Sequence, residues 1–253
     1  MTKRPDFKDH FSQASGVYAQ FRPTYPDTAL QWIAAQTTAH RLAWDAGCGS
    51  GQLSVSLADY FEQVEATDAS AQQIAAAVAH KNVRYACAPA ESSGLDAQSV
   101  DLAISAQAAH WFNLDSYFAE VRRVLKPGGL VVMMGYGTIE GESSAAQAAK
   151  GVYESVLGQF WPPERRHVEM RYQSLDFPFE AIAAPAFWIE VDWNREALMG
   201  YMQSWSAMRQ WEKATGKHAA EMLQEAFSGC WPDPTLLQRF RWPLFMRAGR
   251  ITA

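Results

Sequence analysis

The segment Trp44-Asp45-Ala46-Gly47-Cys48-Gly49-Ser50-Gly51 sets three alternating glycines behind an acid, between a short apolar run and a helical pattern. Glycines there permit positive φ and let a ligand approach the backbone with no Cβ in the way. A strand-to-helix turn that holds nothing is the plain alternative. A dinucleotide fingerprint would put its third glycine at position 52, which is Gln52. Asp45 argues the same way, since a carboxylate beside a helix start repels a pyrophosphate and attracts an ammonium group. S-adenosylmethionine carries an amino-acid tail, a sulfonium charge and no phosphate. Asp45, Gly47, Gly49 and Gly51 are therefore expected to bind it in preference to a nicotinamide cofactor.

Asp68 closes a second strand pattern 21 residues after Gly47. At that spacing such folds place a carboxylate on a ribose diol, whose two hydroxyls can donate to its two oxygens. An ordinary turn acid is the competing reading. Behind a third strand, Ala88-Pro89-Ala90-Glu91 offers the Ala90 N–H for adenine N1 and the Glu91 carboxylate for the adenine amino group.

These stations need a parallel sheet with their loops at one edge. Short apolar runs at 42–45, 63–67, 83–87, 100–105 and 130–134 alternate with helical patterns at 26–38, 51–60, 70–80 and 114–125. Ser70 is a plausible N-cap, and Lys126-Pro127-Gly128-Gly129 is a strong helix stop. Further on, 143–157, 195–211 and 217–227 read as helices, and 187–191 and 240–246 as strands. Residues 6–19 form one more helical pattern. No repeat or low-complexity segment is visible, although seven of the ten tryptophans lie beyond residue 150. We expect one domain: lid helices in 1–40, a cofactor-binding core in 41–137, and helical insertions with the last two strands in 138–253.

Together these residues resemble the class I S-adenosylmethionine-dependent methyltransferases, with Lys126-Pro127-Gly128-Gly129 similar to that family's lead into its fifth strand. The similarity extends to the small-molecule branch containing trans-aconitate methyltransferase-like proteins. It is carried by Phe21-Arg22-Pro23-Thr24-Tyr25-Pro26, Gln107-Ala108-Ala109-His110-Trp111-Phe112, Ser204-Trp205-Ser206 and Arg241-Trp242-Pro243-Leu244. The resemblance implies a Rossmann-like α/β fold with a mostly parallel seven-stranded sheet. It also implies an N-terminal lid in which Phe11, Tyr18 and Arg22 meet the cofactor, with Ala69 and Gln107 as further contacts. An amphipathic cap helix explains the lid equally well.

In that family the residues after the fourth strand face the transferred methyl group. Here His110 is the one plausible base and Trp111 a substrate contact, although a packed or anchoring histidine is an alternative. The Asn/Asp-Pro-Pro-aromatic motif and the Pro-Cys pair of nucleic-acid methyltransferases are missing. Leu198, Tyr201, Met202, Trp205 and Met208 recur at helical spacing, a stripe that most often packs as core. Were that face to line the cavity, Trp205 and Arg209 would contact substrate, Arg209 pairing with an acid. Arg122 and Arg123 are weaker candidates for the same task.

The composition agrees. A net charge of −5 over 253 residues disfavours a phosphate-backbone binder. Three scattered cysteines suit a reducing compartment, no apolar stretch approaches the roughly 18–20 residues of a membrane span, and the start lacks a signal-peptide core. A cytoplasmic location is expected. The histidines and cysteines form no metal-ligand spacing. The expected activity is methyl transfer from S-adenosylmethionine to a small molecule, a carboxylate first and an amine or hydroxyl otherwise, with S-adenosylhomocysteine as product. A non-catalytic S-adenosylmethionine-binding regulator remains open. The sequence says nothing of the oligomeric state.

Overall fold

The computed structural model describes residues 22–251. The helical pattern at 6–19, with Phe11 and Tyr18, lies outside them. The described chain begins with α1 (Asp27–Gln36), followed by β1 (Leu42–Ala46), α2 (Gln52–Leu57), β2 (Gln63–Asp68), α3 (Ala71–Ala75) and β3 (Val83–Cys87). Next come β4 (Val100–Ala106), α4 (Leu114–Val124) and β5 (Leu125–Tyr136). The five strands are parallel, as the alternating pattern implied, and lie in the order β3-β2-β1-β4-β5.

Side-chain alternation fixes both faces. Leu102, Ile104, Leu130, Val132 and Met134 pack with Leu30 and Ile33 of α1 and Leu53 and Leu57 of α2. Ala103, Val131 and Met133 face the other way, onto Tyr117, Phe118 and Val121 of α4. Asp101 fastens the bottom of the sheet: it accepts from the Arg41 and Leu42 N–H groups at 2.9 Å and pairs with Lys126 Nζ at 2.6 Å.

Beyond β5 come α5 (Ser144–Gly151), α6 (Arg165–Glu169), β6 (Glu180–Ile182), β7 (Phe187–Trp193), α7 (Arg195–Gln203), α8 (Ser206–Thr215), α9 (Ala219–Ser228) and β8 (Gln238–Arg250). β8 runs antiparallel to β5 and pairs on its far side with β6 near one end and β7 near the other. The sheet thus has eight strands rather than the expected seven. The extra one, β6, is only three residues long and was too short to show alternation. α5 and α7–α9 gather over Tyr136, Phe240 and Trp242 in a separate aromatic core, whereas Val168 of α6 joins the α4 face of the sheet.

Two expected helices are corrected. The pattern at 70–80 yields only α3, capped by Ser70 as expected, whose side chain accepts from Gln73 N at 3.3 Å. The pattern at 195–211 breaks into α7 and α8. Ser204 donates its hydroxyl to the Tyr201 carbonyl at 2.6 Å, and Trp205 adopts extended backbone at the start of α8.

Candidate functional site

The carboxyl ends of β1, β2 and β4 meet where the strand order reverses, the point at which open α/β sheets bind ligands. The loop after β1 is held by the end of β2: Gly47 and Cys48 donate their N–H groups to Thr67 O at 2.8 and 3.0 Å. Asp68 continues the clamp, accepting from Gly49 N at 2.9 Å on one oxygen and Ser70 N at 2.8 Å on the other.

The three glycines have different reasons. All have positive φ (73°, 57° and 83° for Gly47, Gly49 and Gly51). A Cβ on Gly47 would stand 2.6 Å from Ala108 Cβ, and one on Gly51 only 2.1 Å from the Tyr85 hydroxyl. Internal packing therefore demands those two. A Cβ on Gly49 would meet nothing nearer than Gln73 Oε1 at 3.9 Å, so this glycine keeps clear the space in front of the loop.

A cavity of about 760 Å³ opens there, within the ~300–1,000 Å³ of small-molecule sites. Asp45, the three-glycine loop's Gly47 and Gly49, Asp68, Ala69, Ala90, Glu91, Gln107, His110, Trp111 and Arg22 all line it. Gly51 stands behind it, starting α2 in the left-handed conformation. Asp45 is buried; Ser54 donates to one of its oxygens at 2.6 Å and the other has no hydrogen-bond partner among the described residues. Burial, with the nearby Asp68 charge against it, pushes its carboxyl up to about 7 despite the Ser54 bond. A buried, half-satisfied acid at a cavity wall asks for a cationic donor. An amino-acid ammonium is such a donor, so the residues present fit S-adenosylmethionine. Burial and the two carboxylates push the Cys48 thiol far up, which removes it as a nucleophile.

The opposite wall comes from distant chain. Gln107 sits in the left-handed region (φ 57°), its N–H donating to Met134 O at 2.9 Å and its side chain to Tyr136 O at 3.0 Å. Such strain in a non-glycine residue costs roughly 1–3 kcal/mol and is typical of functional sites. It turns the chain into the short helical turn 109–111 and brings His110 to the cavity. His110 Nδ1 lies 2.9 Å from the Tyr172 hydroxyl. Burial, with Arg165, His167 and Arg22 adding positive charge nearby, pushes the imidazole down to about 3, so it is neutral at physiological pH. Arg22 reaches Tyr136 Oη at 3.5 Å, and Gln52 donates to Arg22 O at 3.1 Å, drawing the segment before α1 against the glycine loop.

Trp205 and Arg209 are not in this wall. With the helix broken at Ser204, Trp205 is buried among Tyr153, Trp161 and Tyr201, ring centroids 5.5–5.7 Å away. Arg209, one turn into α8, does not line the cavity either. Arg123 is committed to Glu120 at 2.7 Å, and Arg122 donates to Pro178 O at 2.9 Å. Sequence reasoning missed Tyr136, Gln73 and Glu164 as cavity residues, and it named Tyr25 without assigning it a role. Only Tyr136 carried a signal, as the last residue before a glycine-flanked strand end. Among the described residues no three His, Cys, Asp or Glu side chains converge to hold a metal ion.

Comparison with known proteins agrees with this geometry. The family model for a methyltransferase domain matches residues 44–133, the stretch from the glycine loop to the fifth strand. A Dictyostelium discoideum protein assigned to the methyltransferases is 35% identical over 223 residues, spanning 87% of this chain and 85% of its own. A solved structure from Anaeromyxobacter dehalogenans, assigned as a type II methyltransferase, is 42% identical with a TM-score of 0.85, covering 92% of this chain and 99% of that one. A malonyl-acyl-carrier-protein O-methyltransferase from Methylovorus sp. is 32% identical over 50% of this chain and 48% of its own. With its switch-point cavity, its acid-led glycine loop and these relatives, the chain belongs to the class I S-adenosylmethionine-dependent methyltransferases.

Proposed function

We propose that the chain transfers the methyl group of S-adenosylmethionine to an oxygen of a small carboxylic acid, leaving S-adenosylhomocysteine. When bound, the cofactor supplies an electrophilic methyl group on a positively charged sulfur. Asp45 would take its ammonium, Asp68 its ribose hydroxyls, and Ala90 with Glu91 its adenine. The observation that carries the acceptor class is His110. An imidazole pushed down to about 3 is a weak base, so an acceptor that arrives already ionised suits the site. Arg22 adds positive charge on the same wall. The O-methyltransferase relative supports oxygen as the acceptor atom.

The chain's task is then to place the carboxylate about 3 Å from the methyl carbon, opposite sulfur, and to exclude water. Tyr25, Trp111 and Tyr136 supply apolar wall for that exclusion. Glu164 on the same cavity favours a second reading, an amine acceptor that it would attract. A trans-aconitate-like polyacid is the specific acceptor we would try first. A small molecule rather than a nucleic acid accords with the net charge of −5, and three free cysteines suit a reducing, cytoplasmic setting.

The test is a methyl-transfer screen over small acids, amines and phenols with methyl-labelled cofactor. An alkali-labile methyl ester on an acid is expected. Turnover confined to amines would overturn the carboxylate reading, and binding with no turnover on any acceptor would favour a regulatory module.

A further inference from the structure

We infer that Tyr172 is a positioning residue that fixes the tautomer of His110, so that His110 offers an Nε2–H donor to the methyl acceptor and does not act as a base. The inference deepens the proposed function and rests on its placing the acceptor beside His110.

Tyr172 lies 62 residues from His110 and is fully buried. Its position is enforced at a cost. Arg171 and Tyr172 are consecutive non-glycine residues with φ of 52° and 58°, each in the left-handed region. Arg247 of β8 holds this bend, donating to the Tyr172 carbonyl at 3.1 Å and also to the Leu175 carbonyl. Phe245 packs edge-on against the phenol ring, with centroids 5.1 Å apart. The strain and its anchors serve to bring one hydroxyl to His110 Nδ1 at 2.9 Å.

The direction of that bond follows from satisfaction of the two groups. A buried phenol must donate its hydrogen somewhere, and the imidazole nitrogen is the one acceptor it meets among the described residues. Were Nδ1 to donate instead, the phenol hydrogen would be left buried without an acceptor, costing roughly 1–3 kcal/mol. The phenol therefore donates, Nδ1 accepts, and the neutral ring carries its proton on Nε2. Nε2 has no partner among the described residues, and His110 lines the cavity. An N–H there can hold one carboxylate oxygen of the acceptor while the other attacks. In the transfer a lone pair of that second oxygen forms the O–CH3 bond, the S–CH3 pair stays with sulfur, and no proton moves. Among the described residues, Arg165, His167 and Arg22 are the charged or titratable groups whose charge acts on the ring.

Nitrogen-15 NMR of the histidine-labelled protein reads the tautomer directly, with Tyr172→Phe identifying the His110 signals. A protonated Nε2 with an unprotonated Nδ1 is expected, and the reverse pattern would overturn the inference. This readout needs no acceptor, so it stands apart from any failure of the carboxylate reading. On whichever acceptor turns over, His110→Gln keeps an N–H near the Nε2 position without basicity. It should retain kcat within about tenfold of wild type, whereas His110→Ala should lose about 10- to 100-fold. Tyr172→Phe keeps the ring packing and the backbone anchors. It should lower kcat and leave the cofactor Kd within about twofold. His110→Gln as inactive as His110→Ala, in folded protein, would restore the base assignment.

Discussion

Replacing Asp45 by Asn separates what the site costs from what it does. The carboxylate is buried with one oxygen bonded to Ser54 and the other without a partner among the described residues, and its carboxyl is raised from 3.8 to about 7. A rise of that size means that ionised Asp45 costs the ligand-free fold at most on the order of 4 kcal/mol at neutral pH. The folded value lies above the unfolded one. Below about pH 4 both states are protonated and the cost vanishes. As pH climbs from there through 7 the unfolded chain gives up its proton first, and stability falls. Asp45→Asn removes that slope, while its side-chain carbonyl can still accept from Ser54. Urea unfolding at several pH values should find the variant more stable than wild type near pH 7.5 and equal to it near pH 4. The same variant should bind S-adenosylmethionine about 10- to 100-fold more weakly, since a charged acceptor of the ammonium is lost. A variant that is less stable at pH 7.5, or that binds the cofactor as tightly as wild type, would refute the reasoning.

Other substitutions probe the frame around that acid. Gly51→Ala drives a Cβ into Tyr85 at a φ of 83° and should cost about 2 kcal/mol or more in a melting experiment. Gly49→Ala meets open space, so its stability loss should stay near 1 kcal/mol while cofactor affinity falls further than in any other loop variant. Glu120 is held down to about 2 chiefly by Arg123, with Ser93 donating from both its N–H and its hydroxyl. Its folded value lies below the unfolded one, so this stability is present above about pH 4.5 and is lost as pH falls toward 2. Because Arg123 is partly exposed, Glu120→Gln should cost about 1–2 kcal/mol at pH 7 and little at pH 2.5, read by denaturant midpoints.

The residues assigned to the cofactor line one cavity, and they were readable because they lie at strand ends. Asp45, Asp68 and Ala90 each follow an apolar run, and parallel pairing brings those ends to one edge whatever the rest of the chain does. Across the cavity His110 and Trp111 were readable too, but Glu164 and Tyr172 were not. Glu164 and Tyr172 reach the cavity and His110 from the region between β5 and β6, where helix α6 has only five residues and two backbone angles are left-handed. No periodicity marks such a segment. The stripe from Leu198 to Met208 packs as core, as its spacing favoured, but not on one helix. The chain breaks at Ser204, whose hydroxyl donates to the Tyr201 carbonyl, and Trp205 opens a second helix. Neither β6 nor the π-helical turn at 152–156 leaves a pattern at its length.

The most direct test of the account is calorimetric titration of S-adenosylmethionine into the wild-type chain and into Asp68→Ala. Asp68 supports the Gly49 and Ser70 N–H groups and is assigned the ribose hydroxyls. Micromolar binding to wild type, weakened at least tenfold in a folded Asp68→Ala protein, is the result the account predicts. Absence of binding to wild type, or equal affinity in the two proteins, would contradict it.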